Sequence, residues 1–250
     1  MIRLVTDSAS NVPAAIRERY DIEIVPLNVM FGNESYKEDI DISADEFLDR
    51  LPTANPMPTT SQPSPADFEA AFRPIIEAGD EIICLVLSQK LSGTYNSAHN
   101  AAQLFENAPI SLIDTKSISA GATLMLIAAG KMIEAGYDRQ QIVSEVEKMT
   151  QQIELVLTLD TLEYLKRGGR IGGASAFIGG LLKIKPTIMI KDGALAPGER
   201  TRSRKKALRY IVDKYVEQFG DQPIWIGIAQ AEAEDASELE QMLQNQLNVK

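Results

Sequence analysis

Short runs of apolar residues alternate along this chain with longer segments whose apolar residues recur every three or four positions. The clearest run occupies positions 82–87, where consecutive apolar residues are typical of a strand buried on both faces. Shorter runs predict strands at 2–6, 22–25, 28–31 and 110–113, and the segments between the runs predict helices. Strands that alternate with helices predict an α/β fold with a mainly parallel sheet.

The pattern changes beyond about residue 152. Predicted strands at 153–157, 184–190 and 224–229 are joined by predicted helices at 161–166, 203–219 and 236–247. Pro186 interrupts the second of these strands and favours an edge strand or a bend. We therefore predict two α/β domains, with residues 1–152 in the first and residues 153–250 in the second.

Polar turns follow three of the predicted strands in the first domain. They are Thr6-Asp7-Ser8, the segment 88–94 and Asp114-Thr115. Ligands of parallel α/β sheets bind beyond the carboxyl ends of the strands. These turns are therefore predicted to converge on one edge of the sheet.

Charge and cysteine content indicate the compartment. A net charge of −10 argues against general binding to nucleic acids or anionic membranes, which would be repelled. A single cysteine, Cys84, excludes an internal disulfide and suits a reducing compartment. The longest apolar stretch, 124–129, is too short to span a bilayer, and the N-terminal residues are typical of a strand rather than a signal peptide. We expect a soluble, cytoplasmic protein without stable membrane insertion.

The scarcity of histidine and cysteine restricts the chemistry. One residue of each type cannot supply a zinc site of the Cys/His kind. No Gly-x-Ser-x-Gly elbow accompanies His99, and neither a Walker A nor a Gly-x-Gly-x-x-Gly sequence is present. We expect no metal, no cofactor and no catalytic residue.

Two hydroxyl-rich corners are candidates for anion binding. Thr59-Thr60-Ser61 lies just before a predicted helix, and Ser92-Gly93 follows the strongest predicted strand and opens another helix. Unpaired main-chain N–H groups at a helix N-terminus favour an anion, and glycine allows close approach of the backbone. Plain helix capping is the alternative for both corners.

Two arginine-containing segments also have two interpretations. Arg170 lies among glycines in the segment 166–173, where it either binds a carboxylate or follows a helix that is ended by glycine. A basic cluster in the second domain is either a solvated face or a docking patch for an acidic partner. Its members are Arg200, Arg202, Arg204, Lys205, Lys206 and Arg209.

Taken in order, several segments resemble the DegV family of fatty-acid-binding proteins. The resemblance spans nearly the whole chain. Each segment alone is weak evidence for the family, but the set of segments in this order is highly specific. The matching segments are 5–11, 59–63, 91–98, 114–117, 162–171 and 182–186. Family members usually continue past the position of Lys250 into a final strand and a His-Gly-Pro-Gly-type segment, which this sequence does not contain.

The resemblance implies a Rossmann-like N-terminal domain, a C-terminal α/β domain with a mixed sheet, and one long-chain fatty acid buried between them. It implies that hydroxyls of Thr60, Ser61 and Ser92 hold the carboxylate together with main-chain N–H groups near Gly93, and that Arg170 offsets its charge. Phe177, Ile178, Leu181 and Leu182 are candidates for the tail pocket, with ordinary core packing as the alternative.

In the best understood branch, the resemblance further implies that the protein presents the acid to a separate fatty acid kinase, which makes an acyl phosphate for phospholipid synthesis. Arg202 and Arg204 would then contact the kinase. Two alternatives stay open. One is an enzyme for a small phosphorylated or acyl substrate that uses Asp7, Ser92 and Arg170, and the other is a sensor whose partner contacts change with lipid occupancy.

Overall fold

The structure is a computed structural model, which describes residues 1–177 and 184–250 and divides into two compact units, Met1–Ile153 and Glu154–Lys250. The first unit contains seven strands and six helices, with short 3₁₀ turns at Ser8–Ser10 and Leu51–Thr53. The strands are β1 (Ile2–Asp7), β2 (Glu23–Val25), β3 (Asn28–Phe31), β4 (Glu34–Lys37), β5 (Thr59–Ser61), β6 (Glu81–Val86) and β7 (Ile110–Asp114). The helices are α1 (Ala14–Tyr20), α2 (Ala44–Arg50), α3 (Pro65–Glu77), α4 (Thr94–Ala102), α5 (Ala120–Glu134) and α6 (Arg139–Met149).

The main sheet of this unit has the strand order β2-β1-β6-β7, and all its pairings are parallel. Side chains alternate along β6, so Ile83 and Leu85 join one apolar cluster and Ile82, Cys84 and Val86 join another. Helices α5 and α6 contribute to the first cluster, and α3 and α4 contribute to the second. The predicted strand buried on both faces is therefore confirmed.

A smaller antiparallel sheet has the order β4-β3-β5, so β5 is an edge strand. Our prediction that residues 59–61 form a loop at a helix N-terminus was wrong, since Thr60 pairs with Val29 in this sheet. The cap of α3 is instead Ser64, whose side chain accepts from the N–H of Asp67 while the Asp67 carboxylate accepts from Ser64. The separate cap leaves the hydroxyls of β5 available for another partner.

The second unit contains a sheet of order β10-β9-β8 with antiparallel pairings. We expected a mixed sheet with a strand at 224–229, but these residues form no strand, and only an isolated parallel bridge joins Ile224 to Val249. A 3₁₀ turn at Gly172–Phe177 precedes β9. The elements are β8 (Leu155–Thr158), α7 (Glu163–Arg167), β9 (Lys185–Lys191), β10 (Ala194–Thr201), α8 (Arg204–Phe219) and α9 (Ala236–Gln246).

Two features of this sheet differ from the sequence-based prediction. Pro186 lies in the central strand β9 rather than at an edge, near its start and opposite a register shift in β10, where a missing N–H is tolerated. Strand β10 was missed, although Asp192-Gly193 is a hairpin signal and both residues have positive φ. Of the candidates for the tail pocket, Phe177 is nearly buried, whereas Ile178, Leu181 and Leu182 lie outside the described residues.

Candidate functional site

The three polar turns that follow β1, β6 and β7 are joined by hydrogen bonds. Leu87 N donates to Oδ2 of Asp7 at 2.7 Å, which links the ends of β1 and β6. Ser88 N donates to the carbonyl oxygen of Ser117 at 2.9 Å, which links β6 to the turn after β7. The predicted convergence at the carboxyl edge is therefore confirmed. It lies at the switch point between β1 and β6, where the strand order reverses, and this is the usual ligand position in such sheets.

Asp7 is fully buried at this edge, and both of its carboxylate oxygens are in use. Oδ1 accepts from Ala9 N at 3.0 Å and Oδ2 from Leu87 N. Burial raises the pKa of Asp7 to about 7, although these two N–H groups act in the opposite direction. Burial also raises the pKa of Glu38, whose Oε2 accepts from the Ser8 hydroxyl at 2.6 Å. This edge of the sheet thus contains one buried carboxyl group, Asp7, and one partly buried carboxyl group, Glu38, each held by hydrogen bonds.

The turn before α4 presents the Ser92 hydroxyl. Ser92 N donates to the carbonyl oxygen of Ser88 at 3.1 Å, which closes the turn. The hydroxyls of Ser92 and Thr94 share a hydrogen bond of 2.9 Å, and Thr94 N donates to Ser92 Oγ over a long 3.4 Å. The residue before the helix is Gly93, so no side chain at the cap position covers the start of α4. Capping by Ser92 is therefore weak, and its hydroxyl lies beside an open helix N-terminus.

The two hydroxyl corners meet through Gln62. A Cβ added at Gly93 would lie 2.3 Å from Gln62 Oε1, so the Gln62 side chain rests directly against the Gly93 backbone. Gln62 Nε2 also donates to Ser97 Oγ at 3.3 Å, which fastens the end of β5 to the first turn of α4. The structure thereby places Ser61-Gln62 next to Ser92-Gly93 within one unit. Sequence reasoning had given Gln62 no role.

The hydroxyls of β5 are exposed, and they do not all lie on one face. Because side chains alternate along a strand, Ser61 lies on the face of Thr59 and Thr60 lies on the opposite face. Asn28 Nδ2 donates to Ser61 Oγ at a weak 3.5 Å. One ligand can contact both Thr60 and Ser61 only around the free edge of β5.

Arg170, in the second unit, directly follows a helix end of the Schellman type. Gly169 has φ +75°, its N–H donates to the Lys166 carbonyl, and Arg170 N donates to the Leu165 carbonyl at 2.9 Å. The glycines therefore end α7, as one of our two interpretations held. The guanidinium is exposed, and Nη1 donates to the Gly168 carbonyl at 2.7 Å.

The basic cluster of the second unit contains two differently placed candidates. Arg202 is exposed between β10 and α8. Arg204 instead makes a bidentate pair with Asp235, with Nε at 2.6 Å from Oδ2 and Nη2 at 3.0 Å from Oδ1. It also donates to the Thr158 carbonyl at 3.3 Å. Arg204 therefore has a structural role within its own unit.

The whole chain, residues 1–250, matches the family model described as an uncharacterised protein of the DegV family. The chain belongs to the DegV family. A DegV domain-containing protein of Deinococcus radiodurans is 38% identical over 222 residues, which are 88% of this chain and 79% of that protein. The family assignment therefore rests on both the family model and a relative that is covered over most of its length.

Two solved DegV family structures share the fold. A structure titled as fatty acid binding of a DegV family protein from Thermus thermophilus has 35% identity and a TM-score of 0.91, covering 100% of this chain and 91% of that one. A structure of a stearic acid-binding protein from Eubacterium ventriosum has 30% identity and a TM-score of 0.88, covering 100% and 90%.

Among residues 1–177 and 184–250, no helix is both long and apolar enough to cross a membrane. The same ranges contain no group of three or more His, Cys, Asp or Glu side chains that could hold a metal ion. Within the described residues, Gln62 joins the two hydroxyl-rich segments into one corner, which is the candidate ligand site.

Proposed function

We propose that this protein binds one long-chain fatty acid and that the corner formed by Ser61, Ser92 and Gly93 holds the carboxylate. The observation that carries the proposal is the contact of Gln62 with Gly93, which brings two hydroxyl segments together at the carboxyl edge of the parallel sheet. Two structural neighbours, which are described as binding fatty acid or stearic acid, support the same ligand class.

The chemistry of the corner suits a carboxylate. Hydroxyls of Ser61 and Ser92 donate hydrogen bonds to carboxylate oxygens, and such bonds to a charged group are stronger than neutral ones. Thr60 contributes from the free edge of β5. Gly93 allows the Gln62 side chain to approach the start of α4 closely, and the positive end of that helix favours an anion. Arg170 offsets the remaining charge in this proposal.

The acyl tail supplies most of the affinity. About fifteen methylene groups at roughly 0.8 kcal/mol each would gain on the order of 10 kcal/mol on burial. That gain allows sub-micromolar binding after the costs of ordering the ligand are subtracted. As part of the proposal, the tail is buried between the two domains, with Phe177 among its contacts.

The presentation of the acid to a kinase is the second part of the proposal. The kinase would phosphorylate the bound carboxylate, and the acyl phosphate would enter phospholipid synthesis. Exposed Arg202 is the stronger docking candidate, because it is available to an acidic partner. Arg204 would contribute mainly by holding the end of β8 and the start of α8 in place.

A carrier fits the observed role of Asp7 better than an enzyme for a small substrate does. Both Asp7 oxygens accept main-chain hydrogen bonds inside the sheet edge. A carboxyl group that is fully buried and engaged in this way is poorly placed to accept a substrate proton, as a general base must. The geometry therefore favours ligand binding over the enzyme alternative.

Native mass spectrometry of the purified protein, followed by analysis of its organic extract, tests the proposal. We expect one C14–C18 fatty acid per chain, released intact on denaturation. A folded protein that contains no fatty acid and takes up no added palmitate would contradict the proposed function.

A Gly93→Ala substitution tests the packing that joins the two corners. The new methyl group would displace the Gln62 side chain, so we expect palmitate binding to weaken by about tenfold, or ~1.4 kcal/mol, with a smaller loss of stability. The matched control is Gln62→Ala/Gly93→Ala, in which the obstructing side chain is absent. Binding by the double variant should return to the level of Gln62→Ala alone. If it stays as weak as in Gly93→Ala, crowding by Gln62 is not the cause.

A further inference from the structure

Two lysines lie on touching turns at the carboxyl edge of the parallel sheet. Lys90 belongs to the turn that leads to Ser92, and Lys116 belongs to the turn after β7. Asp114 Oδ1 accepts from Gln89 N at 3.3 Å and from Lys116 N at 2.9 Å, so one oxygen atom holds both turns. The bases of the two lysine side chains are therefore fixed close together, beside the proposed carboxylate corner.

These lysines differ from other cations of the same unit in having no carboxylate partner. Lys37 pairs with Asp67, Lys148 with Glu145, and Arg139 with Glu81. Within residues 1–177 and 184–250, Lys90 and Lys116 form no ion pair. Arg17 on α1 also forms no ion pair, but the other arginine of that helix, Arg19, is paired with Glu134. Two lysines on turns that touch each other, neither of them in an ion pair, are suited in a chain of net charge −10 to an anion supplied from outside.

The proposed function supplies an anion that the two lysines could bind, the acyl phosphate of the fatty acid. A free fatty acid carries one negative charge, whereas its acyl phosphate carries up to two on a larger head group. The hydroxyls of Ser61 and Ser92 provide hydrogen bonds but no positive charge. Lysine ammonium groups on flexible stems can follow a phosphoryl group as point charges.

We propose that Lys90 and Lys116 form a phosphoryl subsite next to the carboxylate corner, which binds the phosphate of a fatty acyl phosphate. This inference rests on the proposed fatty-acid function. The subsite distinguishes product from substrate by charge: the free acid is held at the carboxylate corner without the lysines, and the phosphorylated head group gains contacts with both of them. It would hold the acyl phosphate on the carrier after transfer by the kinase.

The test compares palmitate with hexadecylphosphonate, a hydrolysis-stable analogue, by calorimetry on delipidated full-length protein at mildly alkaline pH, where the phosphonate is a dianion. For Lys90→Gln/Lys116→Gln we expect hexadecylphosphonate to bind about tenfold more weakly, with palmitate affinity changed by less than about twofold. The phosphonate affinity of the wild type should also fall with added salt more steeply than the palmitate affinity.

Lys148→Gln removes one exposed, paired lysine from α6 of the same unit and serves as the charge control. It should leave both affinities unchanged. The subsite would be overturned, with the fatty-acid function left standing, if the double variant weakened both ligands equally or weakened neither. It would also be overturned if inorganic phosphate inhibited palmitate and phosphonate binding alike. A wild type that binds phosphonate no better than the double variant does would also overturn it. Failure of the wild type to bind palmitate would remove both proposals.

Discussion

Replacing Ser61 and Ser92 together by alanine is expected to weaken palmitate binding by about a hundredfold, since each hydroxyl lost to a charged acceptor costs roughly 1.5 kcal/mol or more. The tail contacts are unchanged, so the loss should appear as faster dissociation rather than as a different preferred chain length. Fluorescence or calorimetric titration of delipidated protein measures the dissociation constant, and thermal unfolding of the ligand-free protein reports any structural cost.

Ser35→Ala is the matched control for this pair. Ser35 is an exposed serine on β4, at the opposite edge of the same small sheet from Ser61. It should bind palmitate like the wild type. The single variants Ser61→Ala and Ser92→Ala should each lose about tenfold. If the double variant retains wild-type affinity while remaining folded, the carboxylate lies elsewhere and the proposed corner is wrong.

Asp7→Asn is expected to abolish a pH dependence of stability that the wild type shows near neutrality. The raised pKa of about 7 means that folded Asp7 keeps a proton which the unfolded chain, with an ordinary aspartate pKa of 3.8, has released. The associated stability is complete below the unfolded pKa and is lost as the pH rises through 7. Between pH 5 and pH 8 we expect the wild type to lose roughly 2–3 kcal/mol that the variant does not lose.

The amide also changes the hydrogen bonding. Asp7 uses both oxygens, and asparagine keeps one, so either Ala9 N or Leu87 N loses its acceptor at a cost of roughly 1–3 kcal/mol. The variant should therefore be less stable than the wild type at pH 5, and the gap should narrow toward pH 8. Urea unfolding at a series of pH values measures both effects.

Asp114→Asn provides the contrast for this experiment. Asp114 accepts both of its main-chain bonds at Oδ1, so an asparagine oxygen in the same place can keep both. Its stability difference from the wild type should be small. A constant difference between Asp7→Asn and the wild type from pH 5 to pH 8 would contradict the assignment of the titration to Asp7. Glu38, whose pKa is also raised, is present in both proteins, so the difference between them reports Asp7 together with its electrostatic coupling to Glu38.

Coupling between the switch point and the ligand site follows from the same geometry. Leu87, whose N–H donates to Asp7, directly precedes Ser88, and Ser88 closes the turn that carries Ser92. A change at Asp7 is therefore transmitted through the main chain to the carboxylate corner. The Asp7 variant should be titrated with palmitate at the pH where it is most stable, so that folding and binding effects are separated.

The sequence by itself determined the class of the fold and the convergence of the three polar turns at one edge of the sheet. Consecutive apolar residues at 82–87 predicted a strand with both faces covered, and polar residues after β1, β6 and β7 predicted the ligand edge. Both follow from local patterns, because burial acts on residues adjacent in the chain and parallel strands bring their ends together. The order of short motifs was sufficient to indicate the family.

Only the tertiary structure decided which hydroxyls meet and how. The pairing of Thr60 with Val29 turned an expected loop into an edge strand, and the contact of Gln62 with Gly93 joined two segments that lie far apart in the chain. The tertiary structure also decided two other features: the central position of Pro186 in its sheet, and the Asp114 oxygen that holds the turns of Lys90 and Lys116 together. Each depends on strand pairing or side-chain packing between distant segments, and no local periodicity specifies such contacts.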